Sequence, residues 1–125
     1  MNKLINYTVA IIDYGMGNVQ SIKNAIEHVS ECNVILTNDK KEIQDADCLI
    51  LPGVGAFPDA MKKLENSDLI NLLNQEVLQN KKPMLGICLG MQLLFDGSDE
   101  IINTQGLGWI PGHVEYMKPK TKSIG

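Results

Sequence analysis

Gly86-Ile87-Cys88-Leu89-Gly90 constrains this chain more than any other stretch. It follows Lys82-Pro83 and a short apolar run, Met84 to Ile87, that reads as a buried strand. Beyond it, Leu89, Gln92, Leu93 and Phe95 fall at helical spacing. Strand, sharp turn and helix form a nucleophile elbow, here with cysteine at the tip. Small residues at Gly86 and Gly90 let the chain turn tightly and let strand and helix approach. The turn would lift the Cys88 sulfur out of the sheet edge toward a ligand. A helix N-terminus beside a thiol favours the reactive, ionised form. The backbone N–H of Leu89 is expected to be free at the first helical turn, where it could bind an oxyanion. Cysteines without such a setting are usually buried small hydrophobes, and Cys32 and Cys48 are read that way.

The 125 residues suffice for one domain with one modest core. A net charge of −4 gives no basic surface for nucleic acid. No apolar run approaches a membrane span, and the N-terminal residues carry no export signal. Three scattered cysteines make no disulfide framework; reduced thiols in the cytoplasm fit better. No cysteine or histidine spacing suggests a metal site.

Three further apolar runs read as strands: Tyr7 to Asp13, Asn33 to Thr37 and Asp47 to Leu51. The first leads through Tyr14-Gly15-Met16-Gly17-Asn18 to a helix with Val19, Ile22, Ala25, Ile26 and Val29 on its apolar face. Its lone G-x-G, without a third glycine, does not make a dinucleotide site. Asn38 to Asp45 reads as polar with a short helix. Phe57 to Leu64 and Asp68 to Leu78 read as two helices, with Ser67 as N-cap of the second. Asp96 to Glu100 reads as a solvated loop, Gly106 to Gly112 as irregular, and His113 to Met117 as a strand. Alternating strands and helices imply a parallel sheet covered on both faces, with ligands at the carboxyl ends of the strands. Tyr14–Asn18, Pro52–Gly55 and Cys88 then converge on one rim.

At these residues the chain resembles a class I glutamine amidotransferase. Three motifs carry the resemblance: Ile12-Asp13-Tyr14-Gly15-Met16-Gly17-Asn18, Leu51-Pro52-Gly53-Val54-Gly55-Ala56-Phe57, and Gly86-Ile87-Cys88-Leu89-Gly90-Met91-Gln92. Order and spacing match nearly the whole chain, through Gly106-Leu107-Gly108. The elbow marks the superfamily. The first two motifs narrow it to the branch that makes imidazole glycerol phosphate in histidine biosynthesis.

The resemblance implies a doubly wound, flavodoxin-like, mostly parallel sheet, with residues 1–125 as the N-terminal portion of a single amidotransferase domain. It implies that Cys88 attacks the side-chain amide of glutamine, forming a glutamyl thioester and releasing ammonia. Gly53, Val54 and Leu89 would supply the oxyanion hole, and Gly55 and Gln92 the glutamine site. The partner would be a (β/α)8-barrel cyclase that takes the ammonia, forming a heterodimer. Tyr14, Met16 and Asn18 would face that partner. No metal or organic cofactor is implied.

A cysteine nucleophile also needs a base. The family supplies it as His-Pro-Glu late in its chain. This chain has two histidines. His28 is expected on the outer surface of the first helix. His113-Val114-Glu115 has the His-x-Glu spacing, but valine stands in place of proline and the segment matches the middle of the family's chain. It is read as a strand leading into an absent C-terminal part, whose loss would expose sheet edges and lower stability. A chain ending at Gly125 would then hydrolyse glutamine poorly or not at all. Two alternatives stand beside the enzyme reading. One is a non-catalytic subunit that binds the barrel partner. The other is a paralogue that supplies ammonia for surface-sugar amination. A stress-response cysteine hydrolase on the same fold is weaker, because Pro52–Gly55 together with Gln92 argues for glutamine.

Overall fold

A computed structural model describes residues 6–115 and residue 117. The readings made for the N-terminal residues 1–5, for Tyr116 and for the tail 118–125 lie outside the described residues. Four strands, β1 (Thr8–Ile12), β2 (Asn33–Thr37), β3 (Cys48–Leu51) and β4 (Met84–Gly86), form a parallel sheet in the order β2-β1-β3-β4. The chain runs from β1 outward to β2 and then crosses to β3. The topological switch therefore lies between β1 and β3, and the turns after them border one crevice.

Period-two alternation divides the core between the two faces of this sheet. Val9 and Ile11 of β1 join Val34 and Ile50 against α1 (Val19–Val29), through Val19, Ile22 and Ile26. Ala10 and Ile12 join Leu49 and Leu51 on the opposite face. There they meet Ile43 of α2 (Lys40–Asp45), Phe57 and Leu64 of α3 (Phe57–Asn66), and Leu73 of α4 (Ile70–Asn74). The second face holds most of the buried apolar side chains.

Several sequence expectations change. The apolar face of α1 is only partly covered: none of its residues is fully buried, Ala25 is exposed, and Val29 is 79% exposed. Ser67 ends α3 instead of opening the next helix; its hydroxyl donates to the Leu64 carbonyl at 2.5 Å. The Asp68–Leu78 helix is α4, continued by a π-helical turn over Gln75–Gln79. Helix α5 stops after one turn (Leu89–Gln92), and Phe95 opens a strand, β5 (Phe95–Ser98). So Asp96–Ser98, read as loop, belongs to a second sheet.

That sheet has the order β6-β5-β7, with β6 (Thr104–Gln105) antiparallel and β7 (Ile110–Val114) parallel to β5. Part of the glycine-rich segment is thus strand, and among the described residues of His113–Met117 only His113 and Val114 belong to it. The second sheet is fastened to the core by Leu107 N–H donating to the Leu93 carbonyl and by Trp109 Nε1 donating to Asn74 Oδ1 at 2.7 Å. Lys82, just before β4, is nearly buried. Its ammonium pairs with Glu76 at 3.1 Å and donates to the carbonyls of Ile43 and Gln44. Among the described residues no helix is long and apolar enough to cross a membrane.

Candidate active site

β4 ends one residue before Ile87, and the chain turns at Cys88 with φ 54° and ψ −125°. A non-glycine residue held there stores about 1–3 kcal/mol of strain. The surroundings fix it. Ile87 N–H donates to the Leu51 carbonyl at 3.0 Å, and the N–H groups of Gly90 and Met91 donate to the carbonyls of Ile87 and Cys88, each at 2.9 Å. The flanking glycines are sterically required. A Cβ on Gly90 would lie 2.0 Å from the Leu51 carbonyl oxygen, and one on Gly86 would lie 2.6 Å from the Met91 Cα. The elbow read from the sequence is therefore formed, with the cysteine exposed at its tip. Its helix is a single turn, so any macrodipole it contributes is small.

Cys88 borders two hollows. One, of about 400 Å³, is lined by Gly53, Val54, Gly55, Cys88, Leu89, Gln92 and Glu100. The other, of about 250 Å³, is apolar and is lined by Asn18, Ile22, Pro52 and Ile87 together with Cys88. The topology thus gathers residues from the turns after β1, β3 and β4, as the parallel sheet requires. A larger polar hollow of about 470 Å³, beside Asp13, Asn38 and Lys63, holds neither Cys88 nor Gln92.

Two site expectations are corrected. The N–H of Leu89 is not free; it donates to the Gly53 carbonyl oxygen at 3.2 Å. Tyr14 is not on an outward surface; it is 6% exposed, and its hydroxyl donates to the Pro52 carbonyl at 2.6 Å. Burial pushes the Tyr14 phenol up to about 12, so it stays a donor. Met16 is half-buried and lines a hollow with Gly55, while Asn18 is exposed. Val54 is 51% exposed, and Gln92 is half-buried.

Neither histidine lines a hollow that Cys88 borders. His28 is exposed on α1. His113 Nε2 lies 3.1 Å from Asp99 Oδ1. Cys32 and Cys48, expected to be buried, are only half-buried; burial still pushes the Cys48 thiol up. Sequence reasoning missed Glu100. The acidic pair Asp99-Glu100 looked like a solvated loop, and only the turn out of β5 brings Glu100 to the Cys88 hollow.

The family profile described as glutamine amidotransferase class-I matches residues 10–121. The chain is 64% identical over 111 residues to imidazole glycerol phosphate synthase subunit HisH 2 of Vibrio vulnificus (strain YJ016), covering 89% of this chain and 52% of that protein. It is 51% identical over 110 residues to imidazole glycerol phosphate synthase subunit HisH of Bacillus cereus (strain AH187), covering 88% and 52%. The chain spans about half the length of the curated relatives it matches. With the elbow, the glycine-rich Pro52–Gly55 turn and the parallel sheet in place, this chain belongs to the class I glutamine amidotransferases.

Proposed function

We propose that the chain carries the glutamine-binding and nucleophilic part of a glutaminase subunit of imidazole glycerol phosphate synthase. One observation carries the reading: a single hollow joins Cys88, the Gly53–Val54 peptide, Gln92 and Glu100. Glutamine offers an amide to attack and an α-ammonium to hold. The hollow offers a nucleophile for the first and a carboxylate for the second. The names of the two relatives support the same assignment.

In this scheme the Cys88 thiolate attacks the side-chain amide carbon. The carbonyl π electrons move onto oxygen, which becomes an oxyanion. That charge needs N–H donors, and Leu89 has its N–H committed to the Gly53 carbonyl. Turning the Gly53–Val54 peptide over would free Leu89 and point the Val54 N–H inward, giving two donors. The C–N bond then breaks, and the nitrogen leaves as ammonia after taking a proton. Water attacks the thioester, releasing glutamate and restoring the Cys88 thiol. Gly55 lines the glutamine site, Gln92 hydrogen-bonds the substrate, and Glu100 faces its ammonium. Ammonia passes to a (β/α)8-barrel cyclase, docked as a heterodimer partner on the rim of Met16 and Asn18, with Tyr14 bracing that rim from beneath. The setting is cytoplasmic, and the scheme uses no metal or organic cofactor.

The proton transfers need a base that neither histidine supplies from where it lies. A second reading is a subunit that binds the barrel and glutamine without turnover. Calorimetric titration with L-glutamine tests what the two readings share. Saturable binding that persists in Cys88→Ser and is absent with D-glutamine supports it; no saturable L-glutamine binding overturns it. Glutamate release by these 125 residues, with the cyclase present, is expected to be negligible. Appreciable cyclase-dependent release would contradict the placement of the histidines.

A further inference from the structure

His113 is the chain's second histidine, and it stands clear of the nucleophile. Its surroundings show a different task. β5 and β7 run parallel, with Gly97 opposite His113 and Ser98 opposite Val114. The imidazole lies over Gly97, where an added Cβ would come within 3.3 Å of its Cε1. From there Nε2 reaches Asp99 Oδ1 at 3.1 Å. The Asp99 N–H also donates to the Val114 carbonyl at 3.2 Å. Asp99 is therefore tied to β7 by its backbone N–H, and its carboxylate lies within ion-pair distance of the His113 imidazole.

The next residue is Glu100. Its N–H donates to the hydroxyl of Ser98 at 3.1 Å, and Ser98 is fully buried. Glu100 then lines the hollow that holds Cys88 and Gln92. Beyond it, Ile101 and Ile102 are exposed, so the loop has little packing of its own. Its position on the Cys88 side depends on the ties at Ser98 and Asp99.

We propose that His113, acting through Asp99, is a positioning residue that pre-sets Glu100 for the α-ammonium of glutamine. This rests on the glutamine reading above. A carboxylate ordered before binding spares the ligand the cost of ordering it, so the device acts on affinity. It leaves the attack by Cys88 untouched, because His113 does not border the sulfur's hollows.

The test is the inactivation of Cys88 in the 125-residue chain by a diazoketone analogue of glutamine, followed over concentration to separate KI from kinact. Iodoacetamide reports thiol reactivity without the pocket. Partly exposed pairs of this kind are worth about two- to fivefold in affinity. His113→Ala and Asp99→Ala should each raise KI by about that factor, with kinact and the iodoacetamide rate unchanged. The double variant should be no worse than either single one, since both remove the same tie. His113→Gln, whose amide can reach Asp99 from the same position, should restore KI. If Glu100→Gln raises KI while His113→Ala and Asp99→Ala do not, the inference fails and the glutamine reading stands. If the iodoacetamide rate changes together with KI in His113→Ala, the role is merely structural and the inference fails. If the unsubstituted chain shows no saturation by the analogue and no protection by glutamine, the glutamine reading fails and takes the inference with it.

Discussion

The Leu89 N–H donates to the Gly53 carbonyl oxygen at 3.2 Å, and this bond occupies a donor that an oxyanion at Cys88 would need. In the proposed scheme, tetrahedral chemistry therefore waits on a turn of the peptide after Gly53. Val54→Pro removes the N–H that such a turn would deliver. Val54 is exposed, so the fold should tolerate the change. Loss of one oxyanion donor costs about 10²–10³ in rate. Nitrophenol release from a γ-glutamyl p-nitrophenyl ester, whose phenolate leaves without a proton, should fall by about that factor relative to the unsubstituted chain, with glutamine affinity unchanged. An unchanged acylation rate would remove Val54 from the scheme.

Gly90→Ala should be among the most damaging single changes in the chain. The new methyl would lie 2.0 Å from the Leu51 carbonyl oxygen and 2.9 Å from the Pro52 carbonyl carbon. Overpacking against backbone costs about 3 kcal/mol. Urea denaturation should show that loss, with the midpoint moved and the slope retained.

Lys82→Met should be at least as costly for a different reason. It leaves the Glu76 carboxylate buried without its ammonium partner. Breaking a buried pair costs about 3–5 kcal/mol, whereas replacing both partners by apolar residues is often neutral. The double variant Glu76→Leu/Lys82→Met should therefore recover much of the stability in the same denaturation series. A double variant as weak as Lys82→Met alone would show that the ammonium's bonds to the Ile43 and Gln44 carbonyls dominate.

How far the sequence was legible follows from these same contacts. β1, β2 and β3 were plain, since β-branched apolar runs buried on both faces have few alternatives. The elbow was plain because its two glycines answer a local steric demand. Phe95 misled because helical spacing from Leu89 continued by coincidence, and pairing with Ile110 overrode it. Tyr14 sits in a glycine-rich turn that looks outward in sequence, and only the Pro52 carbonyl across the crevice explains why it is buried. Glu100 could not be read, because it reaches Cys88 through a strand and a turn rather than along one helix. The occupied N–H of Leu89 depends on a peptide from another motif and leaves no local trace.

Tyr14 gives a pH dependence with a definite sign. Its phenol is pushed from the ordinary 10 to about 12 by burial. The folded state holds the proton more tightly, so the contribution is fully present below about pH 10 and is lost as pH rises toward 12. Tyr14→Phe should lose the bond to Pro52 at all pH values and also lose this alkaline decline. Denaturation midpoints from pH 8 upward would show two curves converging as the pH rises. Parallel curves would mean that Tyr14 does not titrate with folding.

A Cys88 that stands in a pocket built for glutamine should reveal itself in intact-mass analysis after exposure to a glutamine-like electrophile. One adduct is expected, mapped to Cys88, its formation slowed by added L-glutamine, while Cys32 and Cys48 stay unmodified. Adducts spread over the three cysteines, or formed at the same rate with and without glutamine, would contradict it.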